Sequence, residues 1–426
     1  MCGVRRLSGT TMVALSIVRR WIGRNSVVSS GTEFLRIQRH AMINLLPSTR
    51  PRRRAARSWL WAVTASSYPA TSMQPGVAGH RPSFVNDSLK TDALVPINPL
   101  ISTDVVRAAE LLREGRLVAF ATETVYGLGA NALDERAVAR VFAVKNRPHF
   151  DPLIVHIADR QWLDRLVTAL PEAARRLVDE FWPGPLTLVL PKSDIVPDLV
   201  TSGLPSVAVR MPSHPLALEL LRTVDQPVAA PSANPFGQIS PTTAEHVAET
   251  LGDGVDLILD GGACAVGVES TVIGFDDGTP CILRHGGLTQ EAIERVVGPV
   301  TSRQNPASGP AESPGMLPQH YAPRTSLAMI EQAELSADSA LWQRLSGKRI
   351  GLLLLEPARD TDDVDSHRCD VVEVLTNDGN LCDAAAAFFA ALRRLDAADV
   401  DQILALPFPD EGLGRALNDR LRRACH

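Results

Sequence analysis

Past residue 100 the chain is a succession of short apolar runs, each four or five residues long: 117–120, 153–156, 186–190, 206–210, 227–231 and 255–259. Runs of that length, bounded by Gly, Pro, Asn, Asp and Ser, read as buried strands. Between them lie segments with helical spacing. Val105, Ala108, Leu111 and Leu112 share one face ahead of Gly115, and Asp134 is placed to cap a second helix running from Ala137 to Lys145, which Pro148 stops. Strands that alternate with helices in this way specify an α/β fold, and the polar residues collect at strand ends, where crevice sites form.

Those polar tips carry the chemistry. The first run opens into Thr122-Glu123-Thr124-Val125-Tyr126-Gly127, a loop that offers oxygens where the strand reaches the surface. Lys145-Asn146-Arg147-Pro148 sits at a helix C-terminus, where basic residues either complement the dipole or meet an anion. The strand ending in His156 follows, then one closed by Arg210, a residue that apolar packing does not call for and that reads as a site residue or a surface ion pair. Ser232-Ala233-Asn234 fits an Asx turn or a binding loop. Ser240-Pro241-Thr242-Thr243 reads as an N-cap with proline at the first helical position, a terminus whose free amides suit an anion. Glu269-Ser270-Thr271 and Leu283-Arg284 complete the series.

Charge divides the chain. Residues 1–86 hold thirteen arginines against the single acid Glu33, about +12, so a net charge of −5 leaves the rest near −17. The basic, Ser-containing stretch 1–90 reads as a mitochondrial transit peptide, or as an over-long reading frame with a later start at Met42 or Met73, and is expected to be disordered. A cytoplasmic location is expected, mitochondrial if the leader is real. An acidic body lacks the footprint of a broad nucleic-acid binder. Six scattered cysteines form no C-x-x-C pair and fit a reducing compartment, and no apolar run approaches the roughly 18 residues of a membrane span.

Taken in order, Thr122-Glu123-Thr124-Val125-Tyr126-Gly127-Leu128, Lys145-x-Arg147-Pro148, Pro152-Leu153-Ile154-Val155-His156, Ala230-Pro231-Ser232-Ala233-Asn234, Glu269-Ser270-Thr271-Val272 and Leu283-Arg284 resemble the YrdC-type threonylcarbamoyl-AMP synthases. Ser313-Pro314-Gly315-Met316, His320-Tyr321-Ala322-Pro323, Gly412-Leu413-Gly414 and Asp419-Arg420-Leu421 resemble the linker and closing segment of the long, two-domain form. The resemblance implies a twisted mixed sheet with helices over residues 91–300, a linker at 301–324 and a smaller, open, Rossmann-like α/β domain at 325–426. It implies synthesis of threonylcarbamoyl-adenylate from L-threonine, bicarbonate and ATP with release of pyrophosphate. A separate transferase would then receive the intermediate for adenosine 37 of ANN-reading tRNAs, and binding of tRNA or double-stranded RNA by this chain is expected to be weak at most.

By the same resemblance threonine meets Thr124, His156, Arg210, Ser232 and Ser270. ATP, with Mg²⁺, meets Lys145, Arg147, Asp151, Asn234, Ser240 or Thr242, Arg284 and Tyr321. Lys145, Arg147 and Arg210 supply the charge that brings two anions together; no resident metal is expected. Three departures from the pattern stand out: Ala121 in place of proline, Asp151 in place of asparagine and Phe236 in place of a small residue. Asp151 would repel a triphosphate unless magnesium or Arg147 neutralises it.

The C-terminal segment shows apolar strands at 349–355, 371–375 and 402–406, an Ala-rich helix at 381–395 and a closing helix at 414–424, without a phosphate-binding glycine pattern. It is expected to order the linker, whose residues 313–323 would close over the loaded cleft and exclude water. Two other readings remain: a carbamoyl-adenylate enzyme of the hydrogenase-maturation type, and an RNA-binding or ribosome-associated module. The first would add cysteine-rich zinc motifs, and the second is disfavoured by the acidic body.

Overall fold

The computed structural model describes residues 101–303, 320–358 and 365–425; the expected leader at 1–90, most of the 301–324 linker and the lid residues 313–319 lie outside the described residues. Strands β1 (Ile101–Ser102), β2 (Val118–Phe120), β3 (Gly127–Asn131), β4 (Ile154–His156), β5 (Leu186–Pro191) and β6 (Ser206–Arg210) come first. They are followed by β7 (Val228–Ala229), β8 (Leu257–Leu259), β9 (Thr271–Asp276), β10 (Thr279–Arg284) and β11 (Thr301–Ser302). Among the described residues these eleven form one mixed sheet in the order β1-β8-β2-β3-β7-β4-β6-β5-β9-β10-β11. Parallel pairs such as β4 with β6 alternate with antiparallel pairs such as β2 with β3.

Strand periodicity sorts the side chains. Leu117 and Ala119 join one buried cluster while Val118 and Phe120 join another, because successive residues of a strand face opposite ways. Leu186, Leu188, Leu190, Val207 and Val209 face the larger cluster, which the helices Glu135–Lys145, Arg160–Leu166 and Glu172–Phe181 cover. The opposite face of the same strands carries only a small cluster, Ile154, Val189, Ala208, Val272, Cys281 and Leu283. His156 and Arg210 are register partners on the parallel pair β4 and β6, two residues beyond Ile154 and Ala208. They therefore stand on that less covered face, at strand ends, where a cleft can open.

Helix starts follow the capping residues. Asp104 accepts from Arg107 N ahead of Val105–Arg113, and Asp134 accepts from Arg136 N and Ala137 N ahead of Glu135–Lys145. One expected start is corrected. The helix near residue 240 is Ala244–Leu251 with Thr243 as its cap, and not a helix capped by Ser240 with Pro241 inside it. Tyr126 N takes the Pro241 carbonyl at 2.9 Å and the Ser240 hydroxyl bonds Glu269, so residues 240–242 are held against the sheet and cannot enter the helix. The run expected as a strand over 227–231 is regular strand at Val228–Ala229, and the Pro227 and Pro231 carbonyls and the Ala230 amide continue its bonding to β3 and β4.

Strands β12 (Leu327–Met329), β13 (Ile350–Leu354), β14 (Val371–Val374) and β15 (Gln402–Ala405) form a second, all-parallel sheet in the order β12-β15-β13-β14. The helices Leu381–Ala397 and Gly414–Ala424 pack on it through Phe388, Phe389, Leu392, Leu417 and Leu421. That same buried cluster includes Val125, Ile239 and Val268 from the first domain, so the two sheets share a core. Gly267, at φ +76°, makes this approach possible: a Cβ there would lie 2.2 Å from the Ala385 carbonyl oxygen.

Candidate active site

The cleft on the open face is lined by Thr122, Thr124, Arg147, His156, Arg210, Ser232, Glu269, Ser270, Arg284, His320 and Tyr321, with an apolar floor of Val125, Ile154, Ala230 and Pro231. Thr124 comes from the loop after β2, His156 and Arg210 from the ends of β4 and β6, and Ser270 and Arg284 from the start of β9 and the end of β10. His320 and Tyr321 reach it from the chain leading to the second sheet.

Arg210 is anchored on three sides. Its Nη1 donates to Thr124 Oγ1 at 2.8 Å, its Nε donates to the Gly184 carbonyl at 3.3 Å, and its Nη2 lies 2.7 Å from Glu123 Oε1. Burial alone would raise the Glu123 carboxyl, but the Arg210 charge and hydrogen bond more than offset it and hold it below the usual carboxylate range. Beside this pair, burial and then the Arg210 charge push His156 down to about 3, so its imidazole is neutral. His156 Nδ1 is buried without a hydrogen-bond partner.

Arg147 forms the second anchor. Its Nη2 lies 2.9 Å from Asp151 Oδ2 and donates to the Pro152 carbonyl at 2.8 Å, while its Nε donates to the Asp151 carbonyl at 3.1 Å. Asp151 is fully buried. Burial raises its carboxyl, against the pull of Arg147, Lys145 and Arg284. Phe236 lies 5.9 Å below the Arg147 guanidinium and edge-on to His320, so this departure from the family pattern builds an aromatic wall. Arg284, on the far side, donates through Nη2 to the Ser270 carbonyl at 2.8 Å and to Ser270 Oγ at 3.2 Å. Ser270 Oγ also meets Thr187 Oγ1 at 2.7 Å.

Of the residues expected at the site, Thr124, Arg147, His156, Arg210, Ser232, Ser270, Arg284 and Tyr321 line the cleft. Lys145, Asp151, Asn234, Ser240 and Thr242 stand behind its wall. Lys145 is buried and its Nζ donates to the Ser232 carbonyl at 2.5 Å and to the Asn234 carbonyl, bracing that loop from below. Asn234 Nδ2 ties the loop to the Gln238 carbonyl at 2.9 Å, and its Oδ1 lacks a partner. Ser240 Oγ donates to Glu269 Oε1 at 2.6 Å, and Thr242 contacts His246.

Four residues in or against the cleft were not singled out for the site from the sequence: Glu123, Glu269, His320 and Arg420. Arg420, from the closing helix of the second domain, is fully buried and its Nε lies 3.0 Å from Glu269 Oε2. The signal was present. Leu417, Leu421 and Ala424 make the buried stripe of that helix, and position 420 falls on it.

Among the described residues, no cluster of three or more His, Cys, Asp or Glu side chains is grouped as a metal site, and no helix is long and apolar enough to cross a membrane. In the cleft, three buried guanidiniums stand around hydroxyls, each held by a backbone carbonyl, and such groups have the donor geometry to take carboxylate or phosphate oxygens.

Two family models match the chain. The Sua5/YciO/YrdC model, described as telomere recombination, covers residues 110–286, and the threonylcarbamoyl-AMP synthase C-terminal domain covers residues 288–425. The threonylcarbamoyl-AMP synthase of Pyrococcus abyssi is 45% identical over 327 residues, spanning 74% of this chain and 92% of its own. That of Bacillus subtilis is 45% identical over 341 residues, spanning 78% and 95%. The crystal structure of P. abyssi Sua5 complexed with L-threonine matches with a TM-score of 0.70 and 43% identity, over 76% of this chain and 96% of that one.

Proposed function

The chain belongs to the threonylcarbamoyl-AMP synthase family, and from that premise we infer that it makes L-threonylcarbamoyl-AMP with ATP, for the t6A modification of tRNA, in the cleft bounded by Arg147, Arg210 and Arg284. The observation that carries this reading is the arrangement of those three buried guanidiniums around the hydroxyls of Thr124, Ser232 and Ser270. Threonine belongs on the Arg210 side, with its carboxylate on the guanidinium, its hydroxyl and ammonium among Thr124, Ser232 and Ser270, and neutral His156 at its flank. ATP belongs on the Arg147, Arg284 and Tyr321 side, with Lys145, Asn234, Ser240 and Thr242 supporting that wall.

The chemistry asks for charge more than for a proton-transfer group. The threonine amine, having shed its extra proton, forms a nitrogen–carbon bond to carbon dioxide supplied by bicarbonate and becomes an N-carboxylate, and the proton lost from nitrogen joins the hydroxide left by bicarbonate as water. An oxygen of that carboxylate forms a bond to the α-phosphorus of ATP, the α–β phosphoanhydride bond breaks, and pyrophosphate leaves with the electron pair. Two anions must meet, and at an effective dielectric of about 20 each cation within 4 Å of an anion contributes about 4 kcal/mol of attraction. Positioning and electrostatics can supply the acceleration, as in phosphoryl transfer generally.

Magnesium carried by ATP would offset the triphosphate charge and favour pyrophosphate as a leaving group. The Asp151 carboxylate needs no metal to offset it, since Arg147 lies 2.9 Å away. A reducing compartment such as the cytoplasm fits a chain in which Cys264, Cys369, Cys382 and Cys425 stand as thiols. Hand-over of the adenylate to a tRNA threonylcarbamoyltransferase completes the reading, with only weak tRNA contact by this acidic chain. Incubation with radiolabelled bicarbonate, MgATP and L-threonine should give labelled threonylcarbamoyl-AMP and pyrophosphate in equal amounts. No labelled adenylate, or the same yield with serine or valine in place of threonine, would remove the assignment.

A further inference from the structure

We propose that Arg420, a side chain of the second domain, is a positioning residue of the cleft: it clamps residues 269 and 285, the chain neighbours of Ser270 and Arg284, and carries Tyr321 on the face of its guanidinium. Its Nε lies 3.0 Å from Glu269 Oε2, and its Nη1 donates to the His285 carbonyl. The Tyr321 ring lies 5.4 Å from its central carbon. One rigid, planar group thus meets three segments that each put a side chain into the cleft.

The arms of Arg420 act at the point where the start of β9 and the end of β10 converge. Arg284 is bonded to Ser270 across that junction, and Gly287 N donates to the Glu269 carbonyl at 2.9 Å. Gly286 leaves no slack there, because a Cβ would lie 2.3 Å from the Glu269 carbonyl oxygen. Glu269 is itself held from the other side by the Ser240 hydroxyl at 2.6 Å. Asp419 shares the Arg420 charge at 3.1 Å and is tied in turn to Arg423 at 2.9 Å, so the guanidinium cannot swing toward solvent. Tyr321, at φ +65°, has a buried hydroxyl without a partner, and its ring is pinned between His320, Phe389 and Arg420. Two of the three positions set by Arg420 are on the nucleotide side, Arg284 and Tyr321, whereas threonine keeps Thr124, Arg210 and Ser232 even if Ser270 drifts.

This inference rests on the assignment of substrates above, and the test separates the two. In the full-length chain, Arg420→Lys keeps the positive charge but cannot hold Glu269 and the His285 carbonyl together. With the fold checked by thermal unfolding, kcat/KM for ATP should fall about tenfold or more while calorimetric affinity for L-threonine stays within about threefold. If Arg420→Lys does not fold, Glu269→Gln loosens the same clamp while keeping the arm to His285, and the same selective loss is expected. Unchanged ATP kinetics in the folded variant, or threonine and ATP affinities falling by one common factor, would overturn the proposal. Failure of the wild-type chain to form the adenylate would instead overturn the functional assignment and leave the clamp as a structural pair.

Discussion

Replacing Arg210 by alanine strands Glu123 in the protein interior. The two charged groups lie 2.7 Å apart and both side chains are less than 10% exposed, so at an effective dielectric of about 20 their attraction is about 6 kcal/mol before desolvation is charged against it. Losing one member of such a pair costs about 3 to 5 kcal/mol of stability at neutral pH. The sign of the pH dependence is the sharper test. In the wild-type chain the Glu123 carboxyl is held below its ordinary 4.5, so its contribution is complete above that pH and is lost as the pH falls through the lowered value. Without Arg210 burial is opposed only by the backbone amides of Glu123 and Ser213, its pKa rises above 4.5, and the native state then holds the proton more tightly than the unfolded chain. Stability of Arg210→Ala therefore falls as the pH rises from about 4.5, by up to about 1.4 kcal/mol per pH unit until the raised pKa is passed.

Urea unfolding followed by tryptophan fluorescence at pH 5, 6, 7 and 8 measures this directly. The gap between wild type and variant should widen with pH. His156 titrates in both chains and cancels in large part from the difference. The double variant Arg210→Met, Glu123→Gln removes both charges and should recover most of the stability, yet neither variant should bind L-threonine in calorimetry, with a loss of about 2 to 5 kcal/mol. A gap below about 1 kcal/mol, or one that does not change with pH, would refute the reasoning about the pair. Unchanged threonine affinity in the folded double variant would remove Arg210 from the substrate pocket.

Three further outcomes are expected. His156, held at about 3 against an ordinary 6.5, makes the native state lose stability as the pH falls below 6.5; between pH 6.5 and 5 this amounts to about 2 kcal/mol, and His156→Asn should flatten the slope by that amount. Asp151→Asn removes a buried negative charge while Arg147 keeps the Asp151 and Pro152 carbonyls, so a non-hydrolysable ATP analogue should bind more tightly in a fluorescence titration; weaker binding would show that the carboxylate serves the nucleotide. Tyr321→Phe deletes a hydroxyl that has no partner in the folded chain, so the melting temperature should hold or rise while turnover drops. A fall in melting temperature with full turnover would contradict the placement of that hydroxyl toward substrate.

Much of the cleft was legible because its residues end strands. Apolar runs located β2, β4 and β6, and a polar side chain that closes such a run has to face a site or a partner. Parity then decides which: His156 and Arg210 are register partners on parallel strands, so two residues 54 positions apart in sequence arrive side by side. The failures are equally physical. Ser240-Pro241 has every local feature of a helix start, yet the Tyr126 amide and Glu269 claim that segment, and tertiary hydrogen bonds outweigh a capping preference of about 1 kcal/mol. Lys145, expected to meet ATP, is placed with its ammonium on the Ser232 and Asn234 carbonyls, a contact that no local pattern could announce.

Arg420 shows what kind of inference a sequence does support at long range. Leu417, Leu421 and Ala424 mark the buried face of the closing helix, and residue 420 lies on that face by the three- and four-residue spacing of a helix. A guanidinium buried there without an acid would cost several kcal/mol; Asp419 of the same helix meets its Nη1, and its Nε is left to take a carboxylate from some other element. The helix pattern cannot say which, because Glu269 is 151 residues away and the chain offers many acids. The demand still has functional content. A domain that lacks a phosphate-binding loop of its own can contribute to a nucleotide site through one side chain, provided that side chain is placed on the face of a helix that packs against the strands carrying the site.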